Sequence, residues 1–363
     1  MMDTKSVEYY KDMCIQLASE NLKLRQELEK HKGKTPIIEF LDDWLSIIKT
    51  KVKPTTFSGY EIQIKKHFKP YFKGYFLETT TSSDIEKYFA FKLEQGLSAQ
   101  TVKSHRSTLR AAFSYAYKHD LIDENIIKKT DSIKPDKFEY HILSFNEISR
   151  LLIITRDMND YPAILLSALL GLRRSEALGL KWSNIDFKKK IASINSTCLR
   201  VYNSNEHTYE TILLKSTKNK TSSRQIPLSE FMIFELKRIR ASQLDRAKSP
   251  RYQKEYMDYV CLGKNGALLN PQNVSRHFKK ILADNGFDTN VRFHDLRHSC
   301  ATYLHNELGF DIKDISVYLG HSNIQTTGNI YMHESVNTNI ATSINNKLKN
   351  CYENDLGNSL AVS

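Results

Sequence analysis

The spacing of apolar residues changes once along this chain of 363 residues, and that change most limits what it can fold into. From Pro36 to about Thr130 the apolar residues recur only at helical intervals. Phe40, Leu41, Trp44, Leu45 and Ile48 form one stripe of a helix that begins at Ile37. Pro54-Thr55-Thr56 opens a second helix reaching about Phe68, Thr81-Ser82-Ser83-Asp84 caps a third, and Ser98-Ala99-Gln100-Thr101 starts a fourth running through Ala116-Tyr117. Ser144 and Glu147 then form a capping box before a helix through Leu152, and an apolar helix runs from Tyr161 to Leu170. Between Ile185 and Pro227 the pattern becomes β-branched and short, in Ile191-Ala192-Ser193-Ile194, Thr211-Ile212-Leu213-Leu214 and Gln225-Ile226-Pro227-Leu228. These runs predict a small antiparallel sheet, and beyond Glu230 the chain is helical again. The expected fold class is therefore mainly α with a small antiparallel β-sheet.

Two breaks divide the chain. His31-Lys32-Gly33-Lys34-Thr35-Pro36 and Ile133-Lys134-Pro135-Asp136-Lys137 both read as linkers. They predict an N-terminal helix over 1–34, a helical domain over 35–132, an α+β domain over 141–335 and a C-terminal helix or tail over 336–363. In the first segment Tyr10, Leu17 and Leu24 recur every seven residues, with Cys14, Asn21 and Leu28 four positions after each. This short heptad seam suits either self-association or packing on the chain itself.

The net charge of +12 favours a polyanionic partner, because Lys and Arg release condensed counterions when they neutralise phosphates. Of that charge, +1 lies on residues 1–34, +3 on 35–140 and +8 on the remainder. The five cysteines are scattered and include no Cys-x-x-Cys pair, which argues against a disulfide framework or a zinc site and for a reducing cytoplasm. The first residues are charged and form no apolar signal region, and the longest apolar run, Ala163 to Leu172, is too short to span a bilayer. No membrane partner is expected.

The densest chemistry lies near the C-terminal end. His294-Asp295-Leu296-Arg297-His298 is followed by Leu319-Gly320-His321 and then Tyr331. Upstream stand Gly171-Leu172-Arg173-Arg174-Ser175-Glu176 and a turn crowded by Lys215, Lys218 and Lys220. Breaking a phosphodiester requires cations on the non-bridging oxygens, a nucleophile, an acid for the leaving oxygen and a base for the nucleophile. Arginine suits the clamp because it stays charged and bonds two oxygens at once. His294 and Arg297, three residues apart, share one face of a helix. No clustered carboxylates of the kind that hold Mg²⁺ are apparent, which favours a metal-free route.

In this order, Arg, Lys, His-x-x-Arg, His and Tyr, the motifs resemble the tyrosine recombinase (phage integrase) family, of the mobile-element integrase type. The resemblance implies a SAM-like helical core-binding domain over 35–132 and an α+β catalytic domain over 141–335. It implies a site-specific DNA recombinase in which Tyr331 attacks the scissile phosphate to form a 3′-phosphotyrosyl link. Arg173, His294, Arg297 and His321 would surround that phosphate, and Lys218 would protonate the 5′-oxygen. Neither a metal nor another cofactor is implied.

Arg174 is the neighbouring alternative to Arg173. Lys220 is the alternative to Lys218, because the family's Lys-Thr-x-x-Ser-x-Arg pattern, registered on Arg224, Ile226 and Pro227, meets Asn219 where threonine is usual. Glu176 and Asp186 look like supporting carboxylates. DNA contacts are expected from Lys103, His105 and Arg106 on the fourth helix and from Lys215, Lys220 and Arg224 around the turn. For the helix residues, a merely solvated face fits equally well. The implied partners are double-stranded DNA attachment sites and further copies forming a tetramer on DNA, with room for an accessory DNA-bending or directionality protein. Ile340, Ile344 and Leu348 would dock on a neighbouring protomer. One departure is the helical segment 1–34, where many phage integrases carry a β-rich domain for accessory arm sites. A type IB topoisomerase or a non-catalytic DNA-binding relative would use the same scaffold.

Overall fold

The computed structural model describes residues 33–135, 140–203, 208–215, 224–320 and 340–347, together with Met13, Gln16, Leu17 and Ser19. The four isolated positions are helical and Leu17 is exposed, whereas the other seam positions lie outside the described residues. The chain divides into two compact units, Met1–Lys137 and Phe138–Ser363.

Among its described residues the first unit is helical apart from an isolated bridge between Pro36 and Phe76. It comprises α1 (Ile37–Ile48), α2 (Pro54–Gln63, extended by a π-turn at Ile64–Phe68), α3 (Ser82–Glu94) and α4 (Ala99–Lys118). The caps lie where the sequence puts them. Thr81 and Asp84 exchange bonds in a capping box, and the Ser98 hydroxyl accepts from the Thr101 amide. The apolar stripes meet in one core holding Phe40, Leu41, Trp44, Phe68, Phe72, Leu109 and Phe113.

The second unit wraps helices around α6 (Tyr161–Leu169), every residue of which is buried. Before it lies α5 (Phe145–Thr155), opened by the Ser144–Glu147 capping box, and after it the short α7 (Arg174–Gly179). Strands β1 (Ile185–Asp186), β2 (Ile191–Ile194) and β5 (Arg224–Pro227) form one antiparallel sheet in the order β1-β2-β5, with Ile194 opposite Arg224. Strands β3 (Ser196–Asn203) and β4 (Thr208–Lys215) form a separate ladder, with Ser196 opposite Lys215. The sequence runs predict one sheet; Thr211–Leu214 instead pairs with a strand that alternation alone does not mark. Helices α8 (Glu230–Arg246), α9 (Pro271–Asp284), α10 (Asp295–Asn306) and α11 (Ile312–Leu319) complete the unit. Among the described residues no helix is long and apolar enough to cross a membrane.

Residues 340–347 are helical. Ile340 and Ile344 are buried in this unit's own core, and the Phe231 amide donates to Asn345 Oδ1 at 3.0 Å. Lys347 pairs with Glu307. In the single chain, Ile340 and Ile344 therefore cover apolar surface of their own protomer. Leu348 lies outside the described residues.

Candidate active site

The site is built where the start of α7, the first turn of α10 and the end of α11 converge. The last carbonyls of a helix have no partners within it. In α11 three consecutive ones are taken by three arginines from three different elements. Arg224 Nε donates to Tyr318 O at 3.1 Å, Arg297 Nη2 to Leu319 O at 2.8 Å, and Arg173 Nη2 to Gly320 O at 3.1 Å. Cations at a helix C-terminus are also favoured by its dipole.

Glycines make this approach feasible at two points. Gly320 caps α11 in the left-handed region at φ 69°. Gly171, at φ 60°, presents its carbonyl to Arg297 Nη1 at 2.7 Å, and a Cβ there would lie 2.1 Å from Leu319 Cδ2.

The three guanidiniums share one carboxylate. Glu176, buried in α7, accepts from Arg173 Nη1 on Oε1 at 2.7 Å and from Arg224 Nη2 on Oε2 at 3.0 Å, with Arg297 Nη1 at 4.0 Å. Burial pushes the Glu176 pKa up, but the charges and hydrogen bonds of Arg224 and Arg173 outweigh it, so the carboxyl stays below its ordinary value. Arg297 is only 2% exposed. Burial, then Arg173 and Arg224, lower its pKa to about 10, which leaves it charged at neutral pH. Three cations against one anion leave a positive surplus, which is an environment for an anionic ligand.

His294 stands at the N-terminal boundary of α10. Its ring lies 5.2 Å from that of His298, which in turn lies 4.4 Å from Tyr140. Burial lowers the His294 pKa, and His298, Arg297 and Arg173 reinforce the shift, so the imidazole is neutral near pH 7. Tyr140 is a contributor that the sequence gives no signal for. Asp295, fully buried, binds Arg292 through its amide, Nε and Nη2 and anchors the first turn of α10.

The structure brings Arg173, His294 and Arg297 together. Arg174 turns away to Ser275 on α9, so the neighbouring alternative takes no part in the cluster. Lys218, Lys220, His321 and Tyr331 lie outside the described residues, as does the side chain of Lys215. Asp186 caps its own turn by accepting from the Lys188 and Lys189 amides, away from this site. Among the described residues no three His, Cys, Asp or Glu side chains gather as they would around a metal ion.

Three expected DNA contacts need correction. His105 is 1% exposed, with Nδ1 bonded to the Tyr88 hydroxyl at 2.9 Å, and so faces the core of the helical unit rather than a phosphate. Arg106 spends Nε on Thr130 Oγ1 and Nη2 on the carbonyls of Ile127 and Thr130, tying α4 to the segment that follows it. Arg224, its side chain only 9% exposed, is spent within the arginine cluster just described. Lys103 is exposed, as a phosphate contact requires.

Comparison with known proteins places this geometry. Residues 141–338 match the phage integrase family, and residues 38–93 match the phage integrase N-terminal SAM-like domain. The chain is 31% identical to a tyrosine recombinase XerC-like protein of Caldanaerobacter subterraneus subsp. tengcongensis over 81% of its own length and 78% of the relative's. Its fold is shared with a Tn1549 transposon integrase solved with a circular intermediate DNA (TM-score 0.66, 20% identity, covering 85% of this chain and 98% of that one). It is also shared with a lambda integrase tetramer bound to a Holliday junction (TM-score 0.58, 18% identity, 88% and 90% covered). A family match spanning more than half the sequence, with the arginine cluster inside it, makes this chain a member of the phage integrase family of tyrosine recombinases.

Proposed function

We propose that this chain is the site-specific recombinase of a mobile element, cutting and rejoining double-stranded DNA through a 3′-phosphotyrosyl intermediate. The observation that carries the reading is the convergence of Arg173, Arg297 and Arg224 on Glu176 and on the end of α11, directly before His321 in the sequence. The surplus positive charge suits a scissile phosphate, and the charge growing on its oxygens is stabilised without moving any protein group. Arg173 is the more accessible clamp, with its side chain 35% exposed. Arg297 backs it from the core. Neutral His294 is in the protonation state needed to accept a proton.

Tyr331 is the nucleophile in this reading, with His321 beside the phosphate and Lys218, or its neighbour Lys220, protonating the departing 5′-oxygen. The bond energy retained in the phosphotyrosine drives rejoining, so neither ATP nor a metal is required. Attachment-site duplexes are the substrate, and four copies synapse two of them; the similar fold of lambda integrase is seen as a tetramer bound to a Holliday junction. Lys103, Lys215 and Lys220 supply backbone contacts.

The test is a nicked duplex that traps the covalent complex. The wild-type chain is expected to form the adduct and Tyr331→Phe none; an adduct in the variant would refute the nucleophile. Strand exchange between two marked duplexes, rather than relaxation alone, separates recombination from topoisomerase action.

A further inference from the structure

We propose that Arg224 is a positioning residue for strand transfer: it locks Glu176 to the end of α11 and thereby sets Arg173. This rests on the recombinase reading above. Arg224 opens β5, opposite Ile194, and its side chain is 9% exposed. Nε is committed to Tyr318 O and Nη2 to Glu176 Oε2. Nη1 is buried without a hydrogen-bond partner among the described residues. The guanidinium lies against the Gly320 backbone so closely that a Cβ there would sit 2.9 Å from Arg224 Cδ and 3.1 Å from Nη1. Glycine at 320 thus serves both the left-handed turn and the arginine stacked upon it.

These bonds close a ring. Arg224 holds one oxygen of Glu176, Arg173 holds the other, Arg173 also holds Gly320 O, and Tyr318 O returns to Arg224. With both carboxylate oxygens assigned, Glu176 cannot take Arg173 as a private bidentate partner. Arg173 therefore keeps donors for a third ligand, Nε among those that make no bond to Glu176 or Gly320. Oε2 also accepts from the Arg173 amide at 3.1 Å; without Arg224 that amide is the bond it keeps, its other lone pair is open to the Arg173 guanidinium, and the clamp is drawn toward the protein instead of the phosphate. Arg224 also follows directly on the segment bearing Lys218 and Lys220, so the residue that sets Arg173 also fixes where that segment re-enters the fold.

The experiment compares full-length wild type, Arg224→Met and Arg224→Lys on the nicked duplex. It measures the single-turnover adduct rate against pH, the duplex affinity and its salt dependence, and thermal melting. For Arg224→Met the rate is expected to fall about 100-fold, the scale of a small misplacement at a reacting centre. Affinity and salt slope should stay at the wild-type level. The groups facing Glu176 are Arg173, Arg224 and Arg297, so losing one cation also moves the acid limb of the rate profile to higher pH. Arg224→Lys restores that charge but cannot bridge Glu176 and Tyr318 O together, so the limb returns while the rate recovers only in part.

The inference is overturned if affinity falls with the rate and the salt slope drops by about one, the signature of a phosphate contact. An undiminished rate or an unmoved acid limb in Arg224→Met overturns it equally. If Arg224→Met melts below the assay temperature, Arg224→Lys decides: a slower rate at unchanged affinity supports the role, and an unchanged rate removes it. A wild-type chain that forms no adduct would instead sink the recombinase reading, and this inference with it.

Discussion

Each of the two units buries a cluster of titratable side chains, and the clusters are managed in opposite ways. In the helical unit, His105 sits among Tyr88, His67 and Phe68, with ring centroids 4.7 Å away for His67 and 5.5 Å for Phe68. The influences on the His105 ring there all disfavour its charge. Burial first, then His67 and Lys92, lower the His105 pKa to about 4, and burial pushes the Tyr88 hydroxyl well above its ordinary value. Both groups are neutral and share a hydrogen bond. In the catalytic unit, the guanidiniums of Arg173, Arg224 and Arg297 are instead received by Glu176 and by main-chain carbonyls. A retained surplus of charge therefore sets the arginine cluster apart from the neutral histidine–tyrosine pair.

The strongest way to break this contrast is to remove the best-buried cation. Arg297→Met strands the carbonyls of Gly171 and Leu319 and is expected to cost about 3–5 kcal/mol, the usual price of breaking a buried charged network from one side. Urea denaturation measures the stability, and the nicked duplex should show no adduct even where the variant remains folded. A loss below about 1 kcal/mol would mean that the bonds are worth no more than exposed ones. Gly171→Ala comes next. The left-handed backbone costs roughly 1–2 kcal/mol for a residue with a Cβ. Displacing Leu319 adds about 1–3 kcal/mol of overpacking. Wild-type stability in that variant would show that the α11 end is not held as described.

The neutral cluster is tested by acid. The folded His105 pKa lies below the unfolded value of 6.5, so its contribution is fully present above pH 6.5 and is lost as pH falls through about 4. The shift corresponds to about 3 kcal/mol across that window. His67, lowered mainly by burial, acts in the same direction. His105→Gln keeps an acceptor for Tyr88 but cannot titrate, so its urea midpoint should change less than that of wild type between pH 7 and 4.5. Equal pH slopes would put a charged His105 in the fold and erase the contrast.

Much of this was legible in the sequence, because caps and apolar stripes act locally. The Thr81–Asp84 and Ser144–Glu147 boxes and the all-apolar run of α6 each depend on residues within a few positions. Arg173, His294 and Arg297 were legible through their motifs. What escaped depends on long-range geometry. Arg224 meets Tyr318 across 94 positions, and no local pattern distinguishes an arginine that faces DNA from one that faces a helix end. Arg106 and His105 failed for a related reason. On a polar helix start, a stripe of Lys, His and Arg looks solvated until the packing of α3 and of the Ile126–Lys129 turn is known.

The smallest effect separates the two fates of that stripe. Lys103 is exposed, whereas Arg106 is committed to Thr130 and Ile127. Lys103→Ala should leave stability unchanged and lower the salt slope of duplex binding by about one, uniformly across sequences. Arg106→Ala should do the reverse. It costs about 1–3 kcal/mol through the buried acceptors that it strands, while the salt slope stays at the wild-type value. The two residues are three positions apart on one helix and carry the same charge, so net charge and location cancel in the comparison. What remains is whether the side chain ends in solvent or on the protein. If Arg106→Ala lowers the slope as Lys103→Ala does, its hydrogen bonds yield to DNA on binding, and the sequence reading of that arginine is restored.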